Sequence, residues 1–212
     1  MSRVVVINHL TLDGVMQAPG RADEDRRGGF EHGGWAAPYG DEVMGRVMGE
    51  GMARDGALLL GRRTYEDFAA FWPQQHDNPF TPVLNERRKY VASRTLQEPL
   101  PWVNSTLLEG DAADAVGRLK QEQDDDLAVL GSGELVQSLM RRNLVDEYLL
   151  TIHPLVLGSG RRLFSDGGAF ASLRLVDAIT TTIGVVIATY QPAGQLSDSG
   201  GGPQTVLHHL CS

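Results

Sequence analysis

Short apolar runs alternate with amphipathic segments along most of the chain, and this alternation predicts buried strands separated by helices. Strands are expected at residues 3–9, 56–61, 89–93, 127–130 and 146–153, with a short one at 102–105 and a closing antiparallel pair at 173–181 and 184–190. Helices are expected to begin at Asp41, Thr64, Asp111 and Ser132, whose side chains suit the N-cap. This order predicts an α/β fold with a mostly parallel sheet and an antiparallel C-terminal edge.

The most informative stretch is the turn after the strand at 127–130. Gly131, Ser132 and Gly133 lead there into a helix with an apolar face. Glycine permits positive φ and lets a ligand approach the backbone closely. The unpaired N–H groups and the positive end of the helix dipole would face this turn, which favours a phosphate. A tight connection that binds no ligand is the alternative.

The same design recurs where the strand at 56–61 ends. Gly61–Thr64 joins that strand to a helix start and contains two arginines, and the next strand ends at Ser93 and Arg94. Guanidinium groups beside a helix start strengthen the case for phosphate, although each arginine alone could be an ordinary surface residue. Three such strand ends predict one ligand with several phosphates, lying across the carboxyl edge of the sheet.

The helix predicted from Asp41 to about Arg54 contains Gly45, Gly49 and Gly51. Each glycine weakens a helix by about 1 kcal/mol relative to alanine. We therefore expect this helix to pack close to another backbone.

Length and composition fit one domain. The 212 residues are 42% hydrophobic and 22% charged, enough for a sizeable core. We assign residues 1–192 to this domain and the segment 193–212, which is rich in Ser, Gly and Pro over much of its length, to a flexible tail.

Charge and cysteine content exclude several classes of partner. A net charge of −8 argues against nucleic acid and against an anionic membrane surface. The single cysteine, Cys211, rules out an internal disulfide and fits a cytoplasmic location. The apolar run at the N-terminus is too short for a signal peptide or a membrane span. Asp124–Asp126 is expected to be a solvated helix end, and no metal site is predicted.

Two loops offer candidate substrate contacts. Residues 19–40 are rich in Gly, Arg and Asp but include Trp35 and Tyr39. Such a segment is typical of a lid or binding loop, and aromatic packing beneath a surface loop is the alternative. Asp13 follows the first strand, where it could serve a substrate or simply form an Asp-Gly turn.

These motifs resemble, in their order and spacing, the dihydrofolate reductase fold. The segments that match are 61–66, 93–94 and 131–135, and residues 146–149 with 153–160 are similar to the reductase domain of bacterial riboflavin biosynthesis and its stand-alone relatives. The resemblance covers about residues 3–192 and implies a three-layer fold. The zinc deaminase that usually accompanies that reductase has no ligand set in this chain.

The resemblance also implies a cofactor and an assembly. NADPH would lie across the sheet, with its pyrophosphate at the turns after Gly61 and Gly131 and its 2′-phosphate near Ser93 and Arg94. The family's relatives are commonly homodimers, so a homodimer is expected, with a packing role for the region from His153 to Phe164. The implied cofactor-binding positions are Gly61, Arg62, Thr64, Ser93, Arg94, Gly131, Ser132, Gly133, Glu134 and Leu135.

The leading hypothesis is an NADPH-dependent reductase that transfers a hydride to a C=N or C=O group of a small heterocycle or a ribosylamino-pyrimidine. Asp13 is the first candidate for proton delivery or substrate orientation and Asp41 the second. Asn8, Trp35 and Tyr39 are candidates for substrate contact.

Two other functions compete with this hypothesis. A non-catalytic member of the same fold could bind a flavin, a pterin or another aromatic molecule. An ordinary dinucleotide-binding dehydrogenase is disfavoured, because the glycine turn lies late in the chain and Val136 stands where a third glycine is expected. An NTPase is improbable because the chain has no GK[ST] loop.

Overall fold

Eight strands form one mixed sheet in a computed structural model that describes residues 2–194. The strands are β1 (Val4–Thr11), β2 (Ala57–Gly61), β3 (Lys89–Ala92), β4 (Ser105–Leu107), β5 (Leu127–Leu130), β6 (Glu147–His153), β7 (Leu173–Thr180) and β8 (Val186–Pro192). The helices are α1 (Glu42–Ala53), α2 (Arg62–Phe71), α3 (Phe80–Glu86), α4 (Ala112–Glu122) and α5 (Gly133–Arg141). The predicted tail lies outside the described residues except for residues 193 and 194.

The strand order is β4-β3-β2-β5-β1-β6-β8-β7. The six strands from β4 to β6 run parallel, and β8 and β7 add an antiparallel edge. This confirms the predicted sheet. The first strand lies at its centre, with Val6 paired to Val129 on one side and to Tyr148 on the other.

Helices cover both faces of the sheet and make three layers. Alternate residues of β1, including Val4 and Val6, are buried in one core together with residues of α4 and α5 such as Val116 and Leu139. On the other face, α2 packs on β2 and β3, and α1 packs on β8 through Met44. This face retains a cleft, described below, because α1 and α2 lie over different strands.

Two of the four predicted N-caps are confirmed. Asp41 accepts a hydrogen bond from the Met44 N–H at 2.8 Å, and Asp111 accepts one from the Ala113 N–H at 3.0 Å. The cap predicted at Thr64 is wrong, whereas Ser132 occupies the predicted N-cap position of α5 without its capping bond. Helix α2 begins earlier, at Arg62, and the Ser132 hydroxyl makes no capping bond to α5.

Other differences from the prediction have local causes. Helix α3 was not predicted, because it is short and follows Pro79. The short strand lies at 105–107 rather than 102–105, since Trp102 is buried outside the ladder, where its indole N–H donates to Asn85 Oδ1 at 2.7 Å. The prediction that α1 packs against another backbone is also wrong, because a Cβ added at Gly45 or Gly49 would meet nothing within 4 Å.

No helix within residues 2–194 combines the length and the apolar composition needed to cross a membrane.

Candidate active site

A cleft of about 1970 Å³ runs from the carboxyl ends of β2, β3 and β5 across the sheet face that α1 and α2 leave uncovered. Its walls include residues of both helices, and its floor includes Ile7 and His9 of β1 and Thr151 of β6. The volume exceeds that of an ordinary drug-sized pocket. The cleft can therefore hold an extended ligand together with a second, smaller one.

The exits of β2 and β5 are joined by one side chain. Ser132 adopts left-handed backbone angles, φ 58° and ψ 52°. Its hydroxyl accepts a hydrogen bond from the Gly61 N–H at 2.8 Å and donates to Thr64 Oγ1 at 2.9 Å. These contacts direct the hydroxyl to the β2 exit instead of to the first N–H groups of α5, and they join the two turns into one unit.

Glycines at these turns leave no room for side chains. A Cβ on Gly131, whose φ is +59°, would lie 3.2 Å from Thr64 Oγ1. A Cβ on Gly61 would lie 3.0 Å from Ser132 Oγ, and one on Gly133 would lie 2.9 Å from the Met16 sulfur. Glycine therefore lets the two turns pack closely together, and the starts of α2 and α5 are among the segments that line the cleft, where helix N-termini can bind an anion.

Cations surround this end of the cleft despite the acidic composition of the chain. Arg62 pairs with Glu66 at 3.2 Å. Arg63 and Arg161 both approach Glu134, at 3.4 and 3.6 Å. These pairs are solvent-exposed and contribute little to stability, so their guanidinium groups can exchange partners for a phosphate at small cost.

The exit of β3 supplies a hydroxyl and another cation. Ser93 Oγ accepts hydrogen bonds from the N–H groups of Thr95 and Leu96 at 3.1 and 3.0 Å. These bonds shape the turn that contains Arg94, which lines the cleft with Ser93.

The structure brings all ten residues predicted to bind the cofactor, together with Asn8, into this one cleft. That placement agrees with the predicted shared site, while contact with a cofactor stays a prediction. The residues are Gly61, Arg62, Thr64, Ser93, Arg94, Gly131, Ser132, Gly133, Glu134 and Leu135.

Asn8 combines burial with an unused donor. It lies on β1 beside the β5 exit, since its neighbour Ile7 pairs with Leu130. Its side chain is buried, and within residues 2–194 its amide nitrogen has no hydrogen-bond partner. A buried donor without a partner is costly, so a ligand acceptor in the cleft would stabilise it.

Asp13 lies outside the residues that line the cleft. Its carboxylate accepts hydrogen bonds from the Thr11 hydroxyl at 2.5 Å and from the N–H groups of Leu157 and Gly158 at 3.2 and 2.9 Å. The Thr11 bond is the main cause of a pKa lowered to about 2. Asp13 is therefore ionised at neutral pH and fastens the end of β1 to a neighbouring loop, which agrees with a structural role at this turn.

Asp41 also lies outside the cleft lining. Besides capping α1, it accepts hydrogen bonds from Thr182 N–H and Oγ1 at 2.8 and 2.6 Å. The Thr182 hydroxyl is the main cause of its lowered pKa. Asp41 therefore has a structural role, because its carboxylate joins the start of α1 to Thr182.

Trp35 and Tyr39 do not reach the cleft lining. Trp35 is buried with Val15 and Phe30, and its indole N–H donates to the Gln17 carbonyl at 2.7 Å. Tyr39 packs with the residues around α1. Aromatic packing, the alternative given for this loop, describes their present positions, and stacking on a substrate stays a prediction.

The cleft contains a carboxylate that the sequence reasoning missed. Asp67 lies on α2 and lines the cleft with Glu24 of the loop. Burial is the main cause of a raised pKa in both groups. Arg21 forms an ion pair with Asp67 and lies 4.1 Å from the centre of the Phe71 ring. The only indication in the sequence was that the loop at residues 19–40 contains acids and arginines. No sequence pattern shows that this loop lies against α2.

Two histidines were also missed. His9 borders the cleft, and its Nδ1 lies 3.0 Å from Nε2 of His153. The available signal was a pair of polar residues at the ends of two apolar strands.

The fold is that of dihydrofolate reductase. The Enterococcus faecalis enzyme, in a complex with NADP(H), matches with a TM-score of 0.57 and 12% identity over 90% of this chain and 96% of that one. A pyrimidine reductase-like protein of Corynebacterium diphtheriae matches with 0.59 and 12% identity, over 90% and 92%. A Shewanella sp. PV-4 protein, provisionally named for riboflavin biosynthesis, matches with 0.64 and 21% identity, over 90% and 98%. Identities this low establish the fold alone.

The chain belongs to the RibD C-terminal domain family, whose profile matches residues 3–188. This confirms the resemblance drawn from the sequence and places the chain in a family of reductase type. Two uncharacterized proteins of Bacillus subtilis (strain 168) are related to it. YyaP is 31% identical over 140 residues, which span 63% of this chain and 72% of that protein. YwjB is 32% identical over 120 residues, which span 56% of this chain and 63% of that protein.

Proposed function

We propose that this protein is an NADPH-dependent reductase that transfers a hydride to a C=N or C=O group of a small heterocycle, such as a ribosylamino-pyrimidine. One observation carries the proposal: the exits of β2, β3 and β5 meet in one cleft with bare backbone and arginines. Membership of a reductase family supports it.

The residues present fit a dinucleotide phosphate. The helix starts after Gly61 and Ser132 would hold the pyrophosphate through backbone N–H groups. Ser93 and Arg94 would hold the 2′-phosphate through a hydroxyl and a guanidinium fork. The bound cofactor would supply the hydride, and the chain would supply orientation and a proton.

We assign Asn8 and Asp67 of the cleft lining to the substrate. The Asn8 amide nitrogen would donate to a ligand oxygen. Asp67 has greater support as a proton donor than Asp13 or Asp41, because it lines the cleft and burial raises its pKa.

NADPH titration followed by fluorescence tests the cofactor assignment. Arg94→Ala is expected to weaken NADPH binding by roughly tenfold to a hundredfold, since a hydrogen bond to a charged group contributes about 1.5–3 kcal/mol. NADH binding should change little, because NADH lacks the 2′-phosphate. Arg46→Ala is the matched control, since Arg46 is exposed on α1 outside the cleft lining. Failure of the intact protein to bind NADPH would refute the assignment.

A binding protein without turnover is the second candidate. It is favoured by one observation, that both acids predicted from the sequence, Asp13 and Asp41, are held in structural hydrogen bonds. NADPH oxidation measured against dihydrofolate, pterins and a ribosylamino-pyrimidine separates the two functions. Binding of an aromatic molecule with no oxidation of NADPH by any of them would favour the binding protein.

A further inference from the structure

Two histidines meet at the floor of the cleft. His9 lies on β1 opposite Thr151, and His153 ends β6 opposite Thr11. Their rings therefore approach diagonally across two parallel strands, with His9 Nδ1 3.0 Å from His153 Nε2. His9 is partly exposed and borders the cleft, whereas His153 lies behind it.

The His153 ring is enclosed by other side chains, so few hydrogen-bond partners are within its reach. It is 1% exposed, and the rings of Trp35 and Tyr39 contact it nearly perpendicularly, at centroid distances of 5.1 and 5.4 Å. Its Nδ1 is buried and has no hydrogen-bond partner in the described part of the chain. The contact with His9 is therefore the polar anchor of this ring.

The short contact limits where the protons are. Two N–H groups cannot point at each other across 3.0 Å, so at least one of the facing nitrogens is unprotonated. Burial lowers the pKa of both histidines to about 4. At neutral pH both rings are therefore neutral and share one hydrogen.

Two arrangements satisfy this condition. If His9 Nδ1–H donates to His153, the buried Nδ1 of His153 is an N–H without a partner. If His153 Nε2–H donates to His9, the buried Nδ1 is a bare lone pair. Buried N–H groups without partners are rarer than under-satisfied acceptors. The second arrangement is therefore favoured, and it leaves the hydrogen of His9 on Nε2, which completes the neutral ring.

We propose that His9 is a substrate-positioning residue whose Nε2–H, fixed by His153, donates a hydrogen bond to a ring carbonyl of a flat, neutral heterocycle in the cleft. The substrate class rests on the proposed function, but the tautomer does not.

The tautomer is measured directly by long-range ¹H–¹⁵N correlation NMR on protein labelled with ¹⁵N-histidine at pH 7. Both His9 and His153 are expected to show the Nε2–H pattern, with signals assigned through His9→Phe and His153→Phe. In the His153→Phe variant, His9 should show averaging between tautomers because its fixed partner is gone. An Nδ1–H pattern at either residue, or a charged ring, would overturn the proposal.

Ligand binding is tested with lumazine, a flat pteridine with two ring carbonyls, by fluorescence titration without cofactor. His9→Phe should weaken lumazine binding by about tenfold, since it removes one hydrogen bond and keeps a flat ring. His9→Gln should restore most of the affinity because its amide offers a donor near the same place. His76→Phe, at an exposed site outside the cleft lining, is the control.

The outcomes separate this proposal from the proposed function. Unchanged lumazine affinity in His9→Phe, or no binding of lumazine by the intact protein, would refute the role of His9. If the intact protein fails to bind NADPH, the proposed function is refuted, but the tautomers and the binding of lumazine should still be as described. NADPH affinity should be the same in His9→Phe and the intact protein.

Discussion

Lys89 is a fully buried cation at 0% exposure. Its ammonium donates to the carbonyl oxygens of Asn85, Arg87 and Val103 at 3.1, 2.7 and 2.9 Å. It also lies 4.4 Å from the centre of the Trp102 ring. These contacts replace water around the charge, and no acidic group is among them.

The charge on Lys89 predicts a rise of stability in alkali. Burial lowers its pKa from 10.5 to about 8, so between these values the unfolded chain binds more protons than the folded one. The contribution of Lys89 to the free energy of unfolding therefore rises from about pH 8 to 10.5. Urea unfolding measures the free energy of unfolding of the intact protein and of Lys89→Met across this range. The value for the intact protein minus that for the variant should increase with pH. A constant difference would contradict the assignment.

His153 predicts a dependence of the same sign in acid, since its pKa is also lowered by folding. Its pKa is lowered from 6.5 to about 4, chiefly by burial, so the unfolded chain takes up its proton first as the pH falls. The stability is fully present above pH 6.5 and is lost progressively toward pH 4. His153→Phe should flatten this part of the stability profile, measured by thermal unfolding in buffers of matched ionic strength. His76→Phe, at an exposed site, should leave the slope as it is.

Single residues were predictable where the strand exits fix their position. Gly61, Ser93 and Gly131 could be placed together because carboxyl ends of parallel strands share an edge. Asp13 and Trp35 could not be placed, because a sequence does not tell which way a loop side chain points. Both face inward to other loops instead of the cleft.

At the scale of elements, glycine has opposite roles in α1 and at the β5 exit. Gly49 lies in a helix with nothing within 4 Å of an added Cβ, whereas Gly131 has φ +59° and Thr64 Oγ1 at 3.2 Å. Gly49→Ala should raise the free energy of unfolding by up to about 1 kcal/mol. Gly131→Ala should lower it by roughly 1–2 kcal/mol, since a non-glycine residue resists this backbone region.

Thermal unfolding measures both changes, and NADPH titration distinguishes them further. Gly131→Ala should also weaken NADPH binding because the added methyl group displaces Thr64 from the joined turns. Equal effects of the two substitutions would show that the local backbone does not decide their outcome.

Strands were easier to predict than helix starts. A buried parallel strand such as β5 consists of consecutive apolar residues, and this local pattern can be recognised without knowing the rest of the fold. Caps depend on competition. Ser132 has the right side chain for capping, but Gly61 and Thr64 of another turn take its hydroxyl, and no local pattern contains that contact.

At the scale of the whole molecule, the expected homodimer and the cytoplasmic location stay predictions. The region from His153 to Phe164, which would have a packing role in such a dimer, contains Val156 and Phe164, with 67% and 42% of their surface exposed. We expect sedimentation equilibrium to give twice the mass of the chain. Val156→Asp should shift it toward the monomer because a charge in an apolar contact is costly. Val103→Asp, at a site 56% exposed beside β4, should have no effect.

The position of β1 at the centre of the sheet has a consequence for biosynthesis. The partners of β1 lie far along the chain, because Val4 pairs with Leu127 and Val5 with Glu147. Both edges of β1 therefore stay unpaired until those residues have been synthesised. A nascent chain halted on the ribosome before β6 emerges would present an apolar strand with an open edge, the kind of surface that chaperones bind. Native topology of this kind forms slowly, because distant segments must meet first.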